Sequence, residues 1–201
     1  MRRNRTTTLL MVLAIAAFSS ALLRAMAPQA QATAELTPEK KKARIARGAH
    51  LVETMGCNDC HTPFKMGPRG PEPDMSRALT GHPAEVVMPP APGPTGPWVW
   101  HGSATGTAFA GPWGVSFAAN LTPDPETGLG KWTEEMFIAT MKTRRHQGKG
   151  RPLLPPMPAQ ILAALDDEDV RSVFAYLQSL APVKNRVPAP VDPAEPTEEK
   201  K

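Results

Sequence analysis

Cysteine is scarce in this sequence: only Cys57 and Cys60 carry a thiol among 201 residues. A structural zinc site needs four ligands, usually supplied by two such pairs, and the sequence holds no second pair. A disulfide between residues three apart would close too small a loop to constrain the unfolded chain much. The two thiols therefore need an explanation other than a zinc site or a stabilising disulfide.

The sequence also lacks an excess of one charge once its first 32 residues are set apart. These residues hold Arg2, Arg3, Arg5 and Arg24 and no acidic residue. Removing those four from the 23 Lys and Arg residues leaves 19, which equals the number of Asp and Glu residues. A nucleic-acid binder needs a positive excess to neutralise phosphates. We therefore predict no nucleic-acid partner.

The same 32 residues have the pattern of a secretory signal peptide. A positive start, "MRRNRTTT", precedes the apolar run "LLMVLAIAAFSSALL" and a small-residue end with alanines at Ala30 and Ala32. We predict cleavage after about Ala32 and a periplasmic location for the rest. The alternative is an uncleaved leader, which would give membrane association. A domain is predicted over residues 33–183, within the size range of one folded core.

Aromatic residues are few and proline is abundant, with 24 in the chain. Gly and Pro are concentrated in residues 66–118, which we predict to be a loop-rich insertion, because proline lacks a donor and fixes φ. The segment 184–201 is rich in Pro and charge and is predicted to be a disordered tail.

Three helices are predicted, over about residues 38–55, 134–142 and 167–180. Apolar residues recur at helical spacing in each, and acidic residues occupy the first turns. The predicted N-caps are Thr37, Thr133 and Asp166. Gly48 falls inside the first helix, where glycine costs up to about 1 kcal/mol relative to alanine. Such a glycine indicates a close crossing with another element.

The residue after the second cysteine indicates what the thiols do. Cys57, Cys60 and His61 form C-x-x-C-H, the signature of covalent haem attachment. Two thiols at this spacing can add to the two vinyl groups of one porphyrin, and the next imidazole can ligate its iron. A thioredoxin-type dithiol is the remaining alternative, but it expects a βαβ setting. We predict one haem c, with His61 as an iron ligand.

A second axial ligand is sought among the methionines. Met157 stands in "LLPPMPAQ", where flanking prolines remove conformational freedom before iron binds. His/Met ligation is a common electron-transfer arrangement and raises the potential. Met157 is therefore predicted to ligate the iron, with Met88 in reserve. If neither binds, either a histidine (His50, His82, His101 or His146) takes the position and lowers the potential, or the iron is open, as in a haem enzyme or sensor.

A basic segment precedes Met157. We predict that Arg144 and Arg151 pair with haem propionates, because a planar guanidinium suits a carboxylate. Other cations there would form a positive rim that steers an acidic redox partner, and a solvated loop is the plainer interpretation. The loop "NLTPDPETGLGKW" is predicted to line the pocket, with Leu121 and Leu129 facing the ring. The cations of the segment are Lys142, Arg144, Arg145, His146, Lys149 and Arg151.

Four segments together resemble a class I c-type cytochrome: "RGAHLVETMGCNDCHT", "NLTPDPETGLGKWTEEMF", "GRPLLPPMP" and "DEDVRSVFAYLQSL". They are most similar to the cytochrome c domains of periplasm-facing dehydrogenase cytochrome subunits, which typically carry three haem motifs where this chain has one. The resemblance implies an all-α fold wrapped around one covalent haem, with a long Gly/Pro-rich insertion. It also implies that the first and last helices cross at Gly48, against Phe174 or Leu177, and that His61 and Met157 are the axial ligands.

The function predicted from these features is one-electron transfer in the periplasm through a covalent, His/Met-ligated haem. A six-coordinate iron leaves no position for a substrate, so no turnover by this chain alone is expected. The alternative is a non-catalytic electron-transfer subunit of a dehydrogenase complex. The expected partner is a redox protein, namely a dehydrogenase, another cytochrome or a terminal oxidase.

Overall fold

The helices predicted from the sequence are present, and their ends lie within one residue of the predicted ones. The computed structural model describes residues 36–91, 93 and 97–193. Three of its helices match the predictions and two short ones are additional. In chain order the α-helices are α1 (Pro38–Thr54), α2 (Cys57–His61), α3 (Glu134–Thr143), α4 (Ala159–Ala164) and α5 (Asp167–Ser179).

Each of the three long helices begins at its predicted N-cap. The side chains of Thr37, Thr133 and Asp166 each accept a hydrogen bond from the backbone N–H three residues further on. These bonds satisfy donors that the first helical turn leaves without an intrahelical partner. Local sequence signals therefore set where α1, α3 and α5 start.

The apolar core lies among these three helices. The rings of Phe137 in α3 and Phe174 in α5 pack with centroids 5.2 Å apart. Trp132 and Leu165 pack against the edge of the core. Its buried members are Leu51, Val52, Leu79, Leu129, Phe137, Val170, Val173, Phe174 and Leu177.

Gly48 marks the place where α1 meets α5, as the sequence predicts. A Cβ on Gly48 would overlap the backbone carbonyl of Ser172 and would lie 2.8 Å from the Cβ of Tyr176. The predicted partners Phe174 and Leu177 were wrong, because both are buried in the core while Ser172 and Tyr176 occupy the crossing. Only glycine allows the two helix backbones to approach so closely.

The expectation of an all-α chain is not confirmed, because the insertion contains short antiparallel strands. β1 (Phe64–Gly67) pairs with β2 (Gly70–Pro73), and β3 (His101–Gly102), β4 (Ala108–Gly111) and β5 (Gly114–Phe117) form a second sheet in that order. The proline content of this region argues against strands. The two prolines of β2 are tolerated because both strands of a two-stranded sheet are edge strands, where a missing backbone donor can face solvent.

The last described residues pack on the domain, although the sequence predicts a disordered tail from residue 184. Asn185 is 5% exposed. Its side chain donates to the carbonyls of Thr80 (2.7 Å) and His82 (2.9 Å), and it accepts from the N–H of Ala84 (2.9 Å). The predicted disorder therefore does not hold for residues 184–193, because the buried Asn185 amide and a backbone bridge between Val191 and Val115 attach them to the domain. The rest of the predicted tail lies outside the described residues.

Replacing Asn185 with alanine is expected to lower the free energy of unfolding by about 2–3 kcal/mol, because three backbone groups would lose a buried partner. Chemical denaturation of the haem-loaded protein measures this change. The exposed Gln160 provides a control, since Gln160→Ala should alter stability by less than about 0.5 kcal/mol. Equal stability of the Asn185 and Gln160 variants would show that the segment is not anchored by this side chain.

The predicted signal peptide falls outside the described residues, so its cleavage stays a prediction. Within the part of the chain that the structure describes, no helix combines the length and apolarity needed to cross a bilayer.

Candidate functional site

The C-x-x-C-H motif forms its own short helix, α2, directly after α1. Gly56 precedes it with φ of 67°, a left-handed conformation that turns the chain between the two helices. A spacing of three residues places Cys57 and Cys60 on one face of α2. Both thiols are free and half-buried, and both border the same cavity.

Burial shapes the reactivity of these thiols. It raises the pKa of the Cys57 thiol to about 11, and it also raises the pKa of the Cys60 thiol. Thiol–disulfide exchange requires a thiolate, so catalytic dithiols have lowered pKa values. The environment of Cys57 and Cys60 therefore disfavours the dithiol alternative raised by the sequence.

His61 is held in the orientation that an iron ligand needs. Its Nδ1 lies 2.8 Å from the carbonyl oxygen of Ala119. A carbonyl only accepts hydrogen bonds, so Nδ1 carries the proton and Nε2 keeps its lone pair for a metal. Burial lowers the pKa of His61, which favours this neutral form.

A cavity of about 520 Å³ adjoins these residues. Its volume falls within the ~300–1,000 Å³ typical of ligand and cofactor pockets. Cys57, Cys60, His61 and Met157 all line it, and its walls are mainly apolar, as a porphyrin ring requires. The residues present therefore fit a covalently held haem.

Met157 is half-buried at this cavity, in the Pro-rich segment that precedes α4. Met55 and Met141 also line the cavity, which the sequence did not indicate. These two thioethers pack against the core cluster. Met88, the reserve candidate, is not among the described residues that line the cavity.

Of the two arginines predicted to pair with haem propionates, one lines the cavity and the other does not. Arg151 lines the cavity while remaining exposed overall, and partial desolvation lowers the pKa of its guanidinium. A partly desolvated guanidinium gains from an anionic partner such as a propionate. Arg144 is exposed and is not among the described residues that line the cavity. It ends α3 in a left-handed conformation, with φ of 58°.

Residues that the sequence did not single out complete the walls. Arg186 lines the cavity from the C-terminal segment, which the sequence predicts to be a tail, and no sequence signal marks it. Phe109, Ser116 and Phe117 line it from β4 and β5 of the insertion. His146 also borders the cavity and packs edge-to-face on Trp132, with ring centroids 5.1 Å apart.

The loop of residues 120–132 borders the cavity as predicted. Leu121 and Leu129 both line it. Asp124 accepts hydrogen bonds from the backbone N–H groups of Glu126 and Thr127 and from the Thr127 hydroxyl. These bonds lower the pKa of the Asp124 carboxyl, the Thr127 hydroxyl bond contributing most. The carboxylate is therefore engaged in an Asx-type turn within this loop.

The basic segment borders the cavity through His146 and Arg151. Lys142 pairs with Asp167 at 3.2 Å, and Arg145 donates to the carbonyl of Gly150 at 2.9 Å. Among the described ion pairs, none involves Arg145, Lys149 or Arg151. Arg145 and Lys149 are exposed, so their charge is available to a partner.

Comparison with protein families and curated proteins gives consistent results. The family model for Cytochrome c matches residues 45–181 of the chain. A subunit of the nicotinate dehydrogenase of Pseudomonas putida is 37% identical over 87 residues, which cover 43% of this chain and 7% of that protein.

Two further relatives match over a longer stretch. The cytochrome c subunit of alcohol dehydrogenase (quinone) of Gluconobacter oxydans is 27% identical over 150 residues, or 74% of this chain and 24% of that subunit. The fructose dehydrogenase cytochrome subunit of Gluconobacter japonicus is 28% identical over 153 residues, or 75% of this chain and 24% of that subunit. The chain thus spans about a quarter or less of the length of these curated relatives.

Proposed function

Because this chain belongs to the cytochrome c family, we propose that it is a one-electron carrier with a single haem bound through Cys57 and Cys60. In this proposal His61 and Met157 are the axial ligands. The observation that carries it is that these four side chains, three from α2 and one from the Pro-rich segment before α4, border one apolar cavity. Fold-level likeness alone would not assign these roles.

The side chains around the cavity have distinct tasks. When bound, the haem supplies the one-electron iron couple. The Ala119 carbonyl fixes the tautomer of His61 and leaves Nε2 free to face the cavity. Leu121, Leu129 and Phe137 keep water away, which favours the less charged, reduced state. Arg151, with its partly desolvated guanidinium, is placed to neutralise a propionate.

With two protein ligands the iron has no position for a substrate, so the chain is expected to carry electrons without turnover. Reduced protein exposed to carbon monoxide tests this point. We expect an unchanged absorption spectrum over minutes. Rapid formation of a carbon monoxide complex would instead indicate an open iron, as in a haem enzyme or sensor.

We further propose that the electron donor is a dehydrogenase and that the protein works in the periplasm as its electron-transfer subunit or acceptor. Three relatives are named as cytochrome subunits of alcohol, fructose and gluconate dehydrogenases, which supports this partner class. The predicted signal peptide supports the location, with membrane association as the alternative if it is not cleaved. Another cytochrome or a terminal oxidase would then accept the electron.

The exposed cations Arg145 and Lys149 belong to the segment that borders the cavity, and they favour a partner with an acidic surface. Reversing Arg145 and Lys149 to glutamate is expected to slow reduction by native membranes supplied with a dehydrogenase substrate, by roughly tenfold at low salt. The double variant Lys40→Glu/Lys41→Glu, on exposed positions of α1, is the matched control and should keep the native rate. Equal slowing in both variants, or none in either, would contradict docking at this surface.

A further inference from the structure

The segment that carries Met157 has few hydrogen bonds with which to fix its position. Pro155, Pro156 and Pro158 have no backbone N–H to donate. The N–H of Met157 donates to the nearby Leu154 carbonyl at 3.2 Å, which shapes the turn but does not attach it to the rest of the domain. The position of the thioether must therefore be fixed from outside this segment.

Ser116, on β5, supplies such a contact. Its Oγ lies 2.6 Å from the carbonyl oxygen of Pro155 and 3.4 Å from that of Phe109. A hydroxyl has one proton to donate, and the shorter distance assigns it to Pro155. Among the hydrogen bonds of the described residues, this is the one that joins residues 154–158 to a distant part of the chain.

β5 is itself held on both sides, so Ser116 does not move freely. The β4–β5 ladder pairs Ser116 with Phe109. On the other side, Val115 and Val191 exchange two backbone hydrogen bonds of 2.8 and 2.9 Å. Ser116 is only 7% exposed, so water competes poorly for its hydroxyl.

We propose that Ser116 is a positioning residue that holds the Met157 loop at the haem cavity. The β4–β5 hairpin of the Gly/Pro-rich insertion thereby braces the axial ligand, and the C-terminal segment braces the hairpin through Val191. This inference rests on the proposed function, specifically on ligation by Met157. It gives the insertion a role in keeping the thioether close to the iron.

Added imidazole tests this role, because it binds only when the thioether has left the iron. Its apparent affinity rises with the fraction of molecules in which the loop has released. Ser116→Ala is expected to bind imidazole about fivefold more tightly than the unmodified protein, since one loop tether is lost. Loss of the long-wavelength sulfur–iron band during the titration reports the exchange.

Two other variants serve as controls. Ser179→Ala removes an exposed hydroxyl that donates to the Tyr176 carbonyl at 2.7 Å, on a residue that is not among the described residues lining the cavity, and should leave imidazole affinity unchanged. Ser116→Thr keeps a hydroxyl at the tether and should restore affinity to within about twofold. If Ser116 only stabilised the fold, Ser116→Ala would lower thermal stability without tightening imidazole binding, and that result would contradict the positioning role.

The outcomes separate this inference from the proposed function. If the unmodified protein lacks the sulfur–iron band, ligation by Met157 is wrong and the inference falls with it. If the band is present and Ser116→Ala binds imidazole like Ser179→Ala, the inference alone is overturned.

Discussion

Replacing Met157 with alanine is expected to lower the reduction potential by roughly 0.1–0.3 V, a part of the ~0.8 V range that axial ligands set. The same change is expected to abolish the long-wavelength sulfur–iron absorption band. A thioether stabilises the reduced iron, and alanine leaves that position to water or to another side chain. Spectroelectrochemistry of the purified variant measures both effects at once.

Met141 provides the matched control, because its thioether also borders the cavity. It packs against the core from α3, so Met141→Ala should keep the band and cost some stability instead. A band that survives in the Met157 variant and disappears in the Met141 variant would transfer the ligand role to α3.

Replacing Gly48 with alanine is expected to destabilise the protein by about 3 kcal/mol, even though alanine is the better helix former. The added methyl would overlap the Ser172 carbonyl, which belongs to a helix backbone and cannot rotate away. α1 and α5 would have to separate, and the packing of Leu51 and Val52 would be lost with them. The gain in helix propensity, at most about 1 kcal/mol, is too small to offset this.

Denaturant unfolding of the haem-loaded protein checks the Gly48 prediction. His50 lies two residues further along α1 and is exposed, so His50→Ala should change stability by less than about 0.5 kcal/mol. A Gly48→Ala variant that is as stable as the unmodified protein would show that the two backbones do not meet there.

The helices and the haem motif could be predicted from the sequence because their signals are local. Thr37, Thr133 and Asp166 each act within one helical turn, and the apolar spacing of α5 needs no knowledge of its neighbours. Gly48 indicated a close crossing through its cost in a helix. The partners that the resemblance implied, Phe174 or Leu177, were wrong, because the rotation of α5 about its axis depends on packing.

The insertion and the C-terminal segment could not be predicted, because they are stabilised by distant contacts. The strands of the insertion pair with one another against the usual effect of proline and glycine. Asn185 looks like an ordinary residue of a polar tail until Thr80 and His82 present their carbonyls to it. Arg186 and Ser116 could not be predicted to line the cavity for the same reason, since residues distant in sequence bring them there.

At the site, the predictions made from residue chemistry and local rigidity placed residues at the cavity more reliably than the predictions made from charge. Cys57, Cys60, His61 and Met157 line one cavity, as residues of one site must, while their roles in holding a haem stay predictions. Arg144 and Arg151 were chosen for their charge and proximity in sequence. Of the two, only Arg151 lines the cavity, whereas Arg144 ends α3 in a left-handed backbone conformation.

The central claim is that Cys57 and Cys60 hold a haem covalently, and the most direct measurement is made on protein purified from cells that mature c-type cytochromes. Intact mass spectrometry, a pyridine haemochrome spectrum and extraction with acidified organic solvent are applied to the same sample. We predict a chain heavier by one haem, the spectrum of a doubly thioether-linked porphyrin, and pigment that stays with the protein. Colourless protein, or pigment that passes into the solvent, would contradict it.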